Sequence, residues 1–211
     1  MPTALADRLR VATRAMHTEV ERTGLMHQLL RGQLQRADYV LLLRNLHAIY
    51  SALEDALQRH AADPRLARLP LPALARRHAL RQDLEFLHGL DWEQLPVAPA
   101  AQLYAQHLQH LSEVSPLDLA AHAYVRYLGD LNGGQVLARV VAKSLGLKAG
   151  EGLNFFEFGP AADTARLAPE FRAGLALLAD NEAQAQALIQ EACQAFGRHK
   201  VLFEQLSAPL N

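Results

Sequence analysis

The sequence contains only one cysteine, Cys193, among its 211 residues. An internal disulfide is therefore excluded, as is a metal site built from several thiolates. The sequence also lacks the run of roughly 18 apolar residues that a membrane helix requires. Asp7, Arg8 and Arg10 interrupt the N-terminal segment where a signal peptide would need an apolar core. We therefore expect a cytoplasmic protein with no membrane association.

An excess of one charge is absent as well, because 21 lysines and arginines are balanced by 22 acidic residues. Such a surface does not attract nucleic acid or anionic lipid as a whole. Fixed-period repeats, low-complexity tracts and the alternating pattern of half-buried strands are also missing. We expect a single all-α domain over residues 1–211, with its core at about 5–206.

Apolar residues recur at helical spacing along most of the chain, as at Tyr39, Leu42, Leu43 and Leu46. Prolines mark the breaks between these segments. The pattern predicts helices at about 3–23, 36–60, 73–88, 100–112, 116–146 and 182–206, with a shorter helix near 168–180. The predicted architecture is a compact helical bundle.

A cluster of glycines, Gly129, Gly133 and Gly134, interrupts an otherwise helical pattern. Each glycine inside a helix costs about 1 kcal/mol relative to alanine, so the cluster requires a compensating reason. Gly129 and Gly133 lie one turn apart and leave a bare strip of backbone, against which a flat ligand or another helix could pack. Arg126 and Asp130, also one turn apart, place a guanidinium and a carboxylate beside that strip.

His17 falls on the flank of the apolar face of the first predicted helix. An imidazole at such an edge can bind a metal ion through one nitrogen while the other donates to an acceptor, for which Glu21 is one turn away. The alternative is an ordinary surface histidine, since the chain has 10 histidines. Spacing alone leaves both interpretations open.

Four separate segments of the chain, in order, resemble haem oxygenases. LRVATRAMHTEVE at 9–21 is similar to their proximal helix, with His17 at the iron-ligand position, and YVRYLGDLNGGQVL at 124–137 is similar to their distal helix. HAIYSALE at 47–54 and EGLNFFEF at 151–158 add two further matches. The resemblance implies haem bound between a proximal and a kinked, glycine-rich distal helix. It also implies oxidative cleavage of haem to biliverdin, carbon monoxide and ferrous iron, using oxygen and external electrons.

The same resemblance implies roles for residues of the distal side. Tyr50, Arg126 and Asp130 would form a catalytic hydrogen-bond network, in which Asp130 supplies hydrogen bonds and protons. Gly129 and Gly133 would allow the distal helix to pass directly over the haem.

Further residues would bind the edge of the haem. Arg10, Tyr124 and Arg172 match positions that contact the haem propionates, whereas Ala168 stands where relatives often have a lysine. His199 stands where some relatives have asparagine; it would either replace the asparagine's hydrogen bond to the site or be a core histidine bonded to a neighbour.

The electrons should come from a separate protein, because the sequence has no nucleotide-binding fingerprint and we expect no bound flavin or nicotinamide. The resemblance implies a ferredoxin, a flavodoxin or a flavoprotein reductase as the donor. Either of two basic groups could contact it: Arg76, Arg77 and Arg81, or Arg139 and Lys143.

Two other functions remain open at this point. A non-enzymatic haem carrier or storage protein would share the helical pocket and His17, but would not need Tyr50, Arg126 and Asp130. A helical thiaminase-like enzyme would need a catalytic cysteine, and Cys193 has no evident activating base in the sequence.

Overall fold

The computed structural model describes residues 4–148 and 150–207, and no strand lies among them. The ends of the predicted domain, and residue 3, where the first helix was expected to begin, lie outside these residues. The main helices are α1 Leu5–Glu21, α2 Gly24–Leu30, α3 Arg36–Arg59, α4 Leu71–Leu74, α5 Arg77–Leu87, α6 Pro99–Val114, α7 Leu119–Ala123, α8 Gly129–Leu145, α9 Ala161–Leu175 and α10 Glu182–Ser207. The prediction of an all-α fold is confirmed.

The helices with the longest apolar periodicity agree best with the prediction. The observed α3, α6 and α10 each begin and end within two residues of the predicted limits. Local sequence sets two of the starts. Asp38 accepts a hydrogen bond from the backbone N–H of Gln35, 3.1 Å away, at the start of α3, and Pro99 occupies the first turn of α6.

Two helix boundaries come from contacts distant in sequence, and the prediction missed both. The chain turns after α1 and forms the unpredicted α2, because Gly24 has a φ of 48° and packs against the Phe203 carbonyl of α10. The predicted helix at 73–88 is divided into α4 and α5, because the backbone N–H of Arg76 turns away to donate to Glu54, at 2.6 Å.

The predicted helix at 168–180 was misplaced, since α9 covers Ala161–Leu175. Pro160 directly precedes its first residue, and Pro169 lies inside the helix. Proline lacks a backbone N–H and usually interrupts a helix. Here the packing of the buried Leu167, Phe171 and Leu175 carries the helix through Pro169.

The segment predicted as one helix at 116–146 contains an irregularity. After a short turn at Pro116–Asp118 and α7, a π-helical turn covers Tyr124–Leu128 and leads directly into α8. A π turn adds a residue to the helical turn and is a recognised cause of kinks. α8 then ends at Gly146, whose φ of 67° suits a glycine helix cap.

The buried apolar residues of the described chain form one cluster. α3 packs against α5 and α6, while α10 packs against α1, α2 and α7. None of the helices that the structure describes is both long and apolar enough to cross a membrane. The packing leaves a cavity bordered by α1, α3, α8 and α10.

Gly174 marks a close contact between α9 and the segment before α4, and this contact predicts a stability difference. A Cβ at Gly174 would lie 2.6 Å from the Arg68 carbonyl oxygen, whereas a Cβ at Gly197 would meet no atom within 4 Å. We expect Gly174→Ala to lower the free energy of unfolding by about 1–3 kcal/mol. Gly197→Ala, the matched control, should raise it by about 0.5–1 kcal/mol. Urea unfolding of both variants provides the measurement, and equal stability of Gly174→Ala and the original chain would contradict this packing.

Candidate functional site

The cavity between α1 and α8 has a volume of about 940 Å³. Ligand cavities are typically about 300–1,000 Å³, so this one suits a large ligand. Its walls are mainly apolar and include Leu42, Leu43, Leu46, Leu128, Val136, Phe155, Phe156 and Phe203. Polar and charged side chains also line it, mainly from α1 and from the segment that contains the glycine cluster, and their chemistry determines what it can bind.

His17 lines the α1 side of this cavity. Its side chain is 54% exposed, and its ring meets the edge of Phe196 with the ring centroids 5.8 Å apart. Nδ1 lies 3.7 Å from Oε1 of Glu21, within ion-pair range but too far for a hydrogen bond. The predicted hydrogen bond to Glu21 is therefore wrong in this structure. The imidazole is nevertheless accessible from the cavity, where it can act as a metal ligand.

Gly129 and Gly133 line the α8 side of the cavity. A Cβ added at either position would meet no atom within 4 Å. Packing between helices, one of the two explanations considered for these glycines, therefore does not account for them. Gly134 differs, because a Cβ there would lie 3.5 Å from the Phe156 ring. The bare strip formed by Gly129 and Gly133 faces open space that a flat ligand can occupy.

A hydrogen-bonded group of three side chains lies beside this strip. Nε of Arg126 donates to the Tyr50 hydroxyl oxygen at 2.9 Å, and Nη2 donates to Asp130 Oδ1 at 3.1 Å. The Tyr50 hydroxyl donates to the other oxygen of Asp130. Asp130 and Arg126 line the cavity, whereas the fully buried Tyr50 lies behind them on α3. Tyr50 therefore acts on the cavity only through its two partners.

Burial controls the protonation of this group. It raises the pKa of the Asp130 carboxyl above its usual value, although the Arg126 guanidinium acts in the opposite direction. Burial raises the pKa of Tyr50 well above its usual value, so the hydroxyl stays protonated. For Arg126, burial lowers the pKa, but attraction to Asp130 and Tyr50 outweighs it and the pKa is raised overall. A carboxyl group held in this way can accept and return a proton at the cavity wall.

Three hydrogen-bond donors predicted to bind acidic groups line the same cavity: Arg10 on α1, Tyr124 in the π turn and Arg172 on α9. The Arg10 side chain is 77% exposed, with its nearest carboxylate, Asp7, at 3.6 Å. Ala168, one turn before Arg172, provides no donor. The two guanidinium groups suit the carboxylates of an otherwise apolar ligand.

His199 also lines the cavity, and its side chain is almost completely buried. Its ring meets Tyr104 edge-on, with centroids 5.1 Å apart, and stacks on Phe203. Neither ring nitrogen has a hydrogen-bond partner among the described residues. The expectation of a core histidine bonded to a neighbour is therefore wrong. Burial holds the pKa of His199 well below its usual value, so the imidazole is neutral.

Sequence reasoning missed some of the cavity wall. Asn132 lines it, with its amide oxygen 3.5 Å from Nη2 of Arg172. Its position within the glycine string was the available signal. Met26 and Leu29 also line the cavity, but they lie on α2, which was not predicted.

Cys193 does not have the properties of a catalytic nucleophile. The half-buried thiol lies on α10, and its nearest polar contact is the Ala12 carbonyl oxygen at 4.0 Å. Burial raises its pKa, so the less reactive protonated form dominates. The structure therefore gives no support to a thiaminase-like mechanism.

Comparison with known proteins gives a consistent result. The family described as "Heme oxygenase" matches residues 3–205. The chain is 39% identical to "Heme oxygenase 1" of Homo sapiens over 98% of this chain and 73% of that protein. It is 35% identical to "Heme oxygenase 1" of Nostoc, over 100% of this chain and 89% of that protein. The crystal structure of heme oxygenase-2 from Synechocystis, in complex with heme and NO, is similar with a TM-score of 0.92 and 35% identity, covering 97% of this chain and 85% of that chain.

Proposed function

This chain belongs to the haem oxygenase family, and we propose that it cleaves haem to biliverdin, carbon monoxide and ferrous iron, using oxygen and external electrons. The observation that carries this proposal is one apolar cavity bordered by the His17 imidazole, the bare Gly129 and Gly133 strip and the Asp130 carboxyl. We further propose that residues 1–211 form one such domain. A single cysteine supports a reducing, cytoplasmic location.

The residues around the cavity fit haem, which would be both cofactor and substrate. The apolar walls suit a porphyrin, and the strip without Cβ atoms leaves room for its flat face. His17 would bind the iron, while Arg10, Tyr124 and Arg172 would donate to the propionates. When bound, the haem iron supplies the oxygen-activating redox chemistry.

The protein's own groups would position the ligand and control protons. His17 would bind the iron and so anchor the ligand from the α1 side. On the other side, Asp130 would hold and transfer a proton at its carboxyl oxygens, and Arg126 and Tyr50 would fix the orientation of that carboxyl. Because His199 has two nitrogens without partners among the described residues, it would offer an additional hydrogen bond to the ligand side.

A separate ferredoxin, flavodoxin or flavoprotein reductase would supply the electrons. The first of the two basic groups suggested as its contact already makes contacts within this chain. Arg76 is buried, and Arg77 and Arg81 each form an ion pair with a carboxylate. Arg139 and Lys143 are exposed on α8. We propose that the donor contacts the α8 surface that they form.

The main alternative, a haem carrier or storage protein, would use the same cavity and His17. It gives no role to the buried network of Tyr50, Arg126 and Asp130. No specific observation favours it.

Turnover distinguishes the enzyme from the carrier. In an absorption time course with one equivalent of haemin, a reductant and air, we expect the Soret band to disappear while a broad red biliverdin absorption develops. A persistent Soret band would instead support the carrier.

In the same assay, Asp130→Asn should slow turnover by about 10²-fold or more, because a proton-transferring group is lost. Glu113→Gln, at an exposed position on α6, is the control, and an unchanged rate in Asp130→Asn would refute the role of Asp130.

The iron-ligand role of His17 is tested by its removal. We expect His17→Ala to bind haem at least about tenfold more weakly, a loss of roughly 1.4 kcal/mol, and to show a shifted Soret band. Added imidazole should restore the original spectrum. The control is His27→Ala on α2, an exposed position. If His17→Ala keeps the original spectrum, another residue binds the iron.

The glycine strip predicts opposite effects on stability and on binding. Gly133→Ala should raise the stability of the haem-free protein by about 1 kcal/mol, since alanine favours the helix and the Cβ meets no atom. The same methyl group should weaken haem binding by roughly tenfold, because it occupies the space of the ligand. Gly134→Ala is the matched control, because its Cβ would face Phe156. Denaturant unfolding and haem titration measure the two effects, and unchanged haem affinity in Gly133→Ala would contradict the proposed contact.

A further inference from the structure

Three side chains with metal-binding atoms converge outside the haem cavity. His107 lies on α6, His122 on α7 and Glu191 on α10, and one ligand atom from each lies within 4.8 Å of the others. Nε2 of His107 is 2.6 Å from Oε1 of Glu191, and Nε2 of His122 is 2.8 Å from the same oxygen. None of the three is among the residues that line the cavity in the described part of the chain.

The charges and burial of this group match the needs of a cation. The His122 side chain is 0% exposed, Glu191 is 9% exposed and His107 is 18% exposed. Although burial opposes it, the hydrogen bonds from the two histidines lower the pKa of Glu191 to about 2. Burial lowers the pKa of His122, which stays neutral. The group therefore offers one carboxylate and an already neutral imidazole in a largely water-excluded position.

We propose that His107, His122 and Glu191 form a binding site for a divalent transition-metal ion, with Zn²⁺ as the best match. Two imidazoles and one carboxylate are a recurrent zinc ligand set, in which water takes the fourth position. Tetrahedral zinc with ligands at about 2.0–2.2 Å places neighbouring ligand atoms roughly 3.3 Å apart. From 2.6 and 2.8 Å, the two nitrogen–oxygen distances would need to grow by about 0.7 and 0.5 Å.

The surroundings of His122 support metal binding through Nε2. The Nδ1 atom of His122 lies 2.8 Å from the Tyr104 hydroxyl oxygen. When the metal takes Nε2, the single proton of the neutral ring shifts to Nδ1 and is donated to that oxygen. An acceptor on the second nitrogen is the usual partner of a metal-binding histidine. The partly exposed His107 provides the route by which the ion enters.

The site would join three helices and lie close to the cavity without being part of it. Tyr104, the partner of His122, packs edge-on against His199, which lines the cavity. A bound ion would therefore stabilise the packing of α6, α7 and α10 behind the cavity wall. This proposal does not depend on haem turnover.

Zinc titration of the haem-free full chain by calorimetry tests the site. His107→Gln is the informative variant, because it removes one ligand at a partly exposed position. His110→Gln, an exposed histidine on the same helix, is the matched control. We expect the original chain and His110→Gln to bind zinc at this site, and His107→Gln to lose that binding. The loss would appear either as one fewer equivalent of zinc bound or as an affinity at least about tenfold weaker. Zinc should raise the midpoint of thermal unfolding in the first two proteins only.

Cobalt substitution gives an independent readout. Co²⁺ in the proposed site should show the intense visible absorption of a four-coordinate ion, and His107→Gln should lose it. The zinc affinity should also fall as the pH is lowered, because the imidazoles must be deprotonated to bind. Equal zinc binding by the original chain and His107→Gln, or no zinc uptake by either, would overturn the proposal and leave a hydrogen-bonded helix contact.

Discussion

The arrangement of the site depends on one buried ion pair, between Arg126 and Asp130. A charge removed from water is costly unless it is paired and hydrogen-bonded, so neither side chain can move without exposing the other to an apolar interior. The Tyr50 hydroxyl joins the pair to α3. This contact fixes the start of α8 against the centre of the bundle, and the positions of Gly129 and Gly133 follow from it.

The two sides of the cavity are held in place by different forces. The α8 side depends on directional bonds between charged groups, which set the orientation of Asp130. The α1 side depends on apolar contacts of residues such as Leu5 and Leu9 with the core, and His17 remains half-exposed at its edge. One side is thus suited to precise placement of a proton, and the other to receiving a ligand from solvent.

Features encoded by local periodicity could be predicted from the sequence, and features created by distant contacts could not. The helices α3 and α10 follow from their apolar spacing, and the glycine string identified one side of the cavity. The turn at Gly24, the break at Arg76 and the passage of α9 through Pro169 depend on Phe203, Glu54 and core packing, which no local pattern reveals. For the same reason, the convergence of His107, His122 and Glu191 from three helices had no sequence signal, and the bonding state of His199 could be decided only in three dimensions.

The π turn at Tyr124–Leu128 makes the position of any change in length decisive for the cavity wall. The turn holds one extra residue, so its loss would restore a regular helix and leave Asp130 and the two cavity-facing glycines in their present directions. Each residue of a regular helix turns its successor by about 100° around the axis. Loss of one residue between Asp130 and Gly133, where α8 is regular, would therefore turn Gly133 away from the cavity while Asp130 stayed in place. The wall tolerates a change of length before it begins, but not within it.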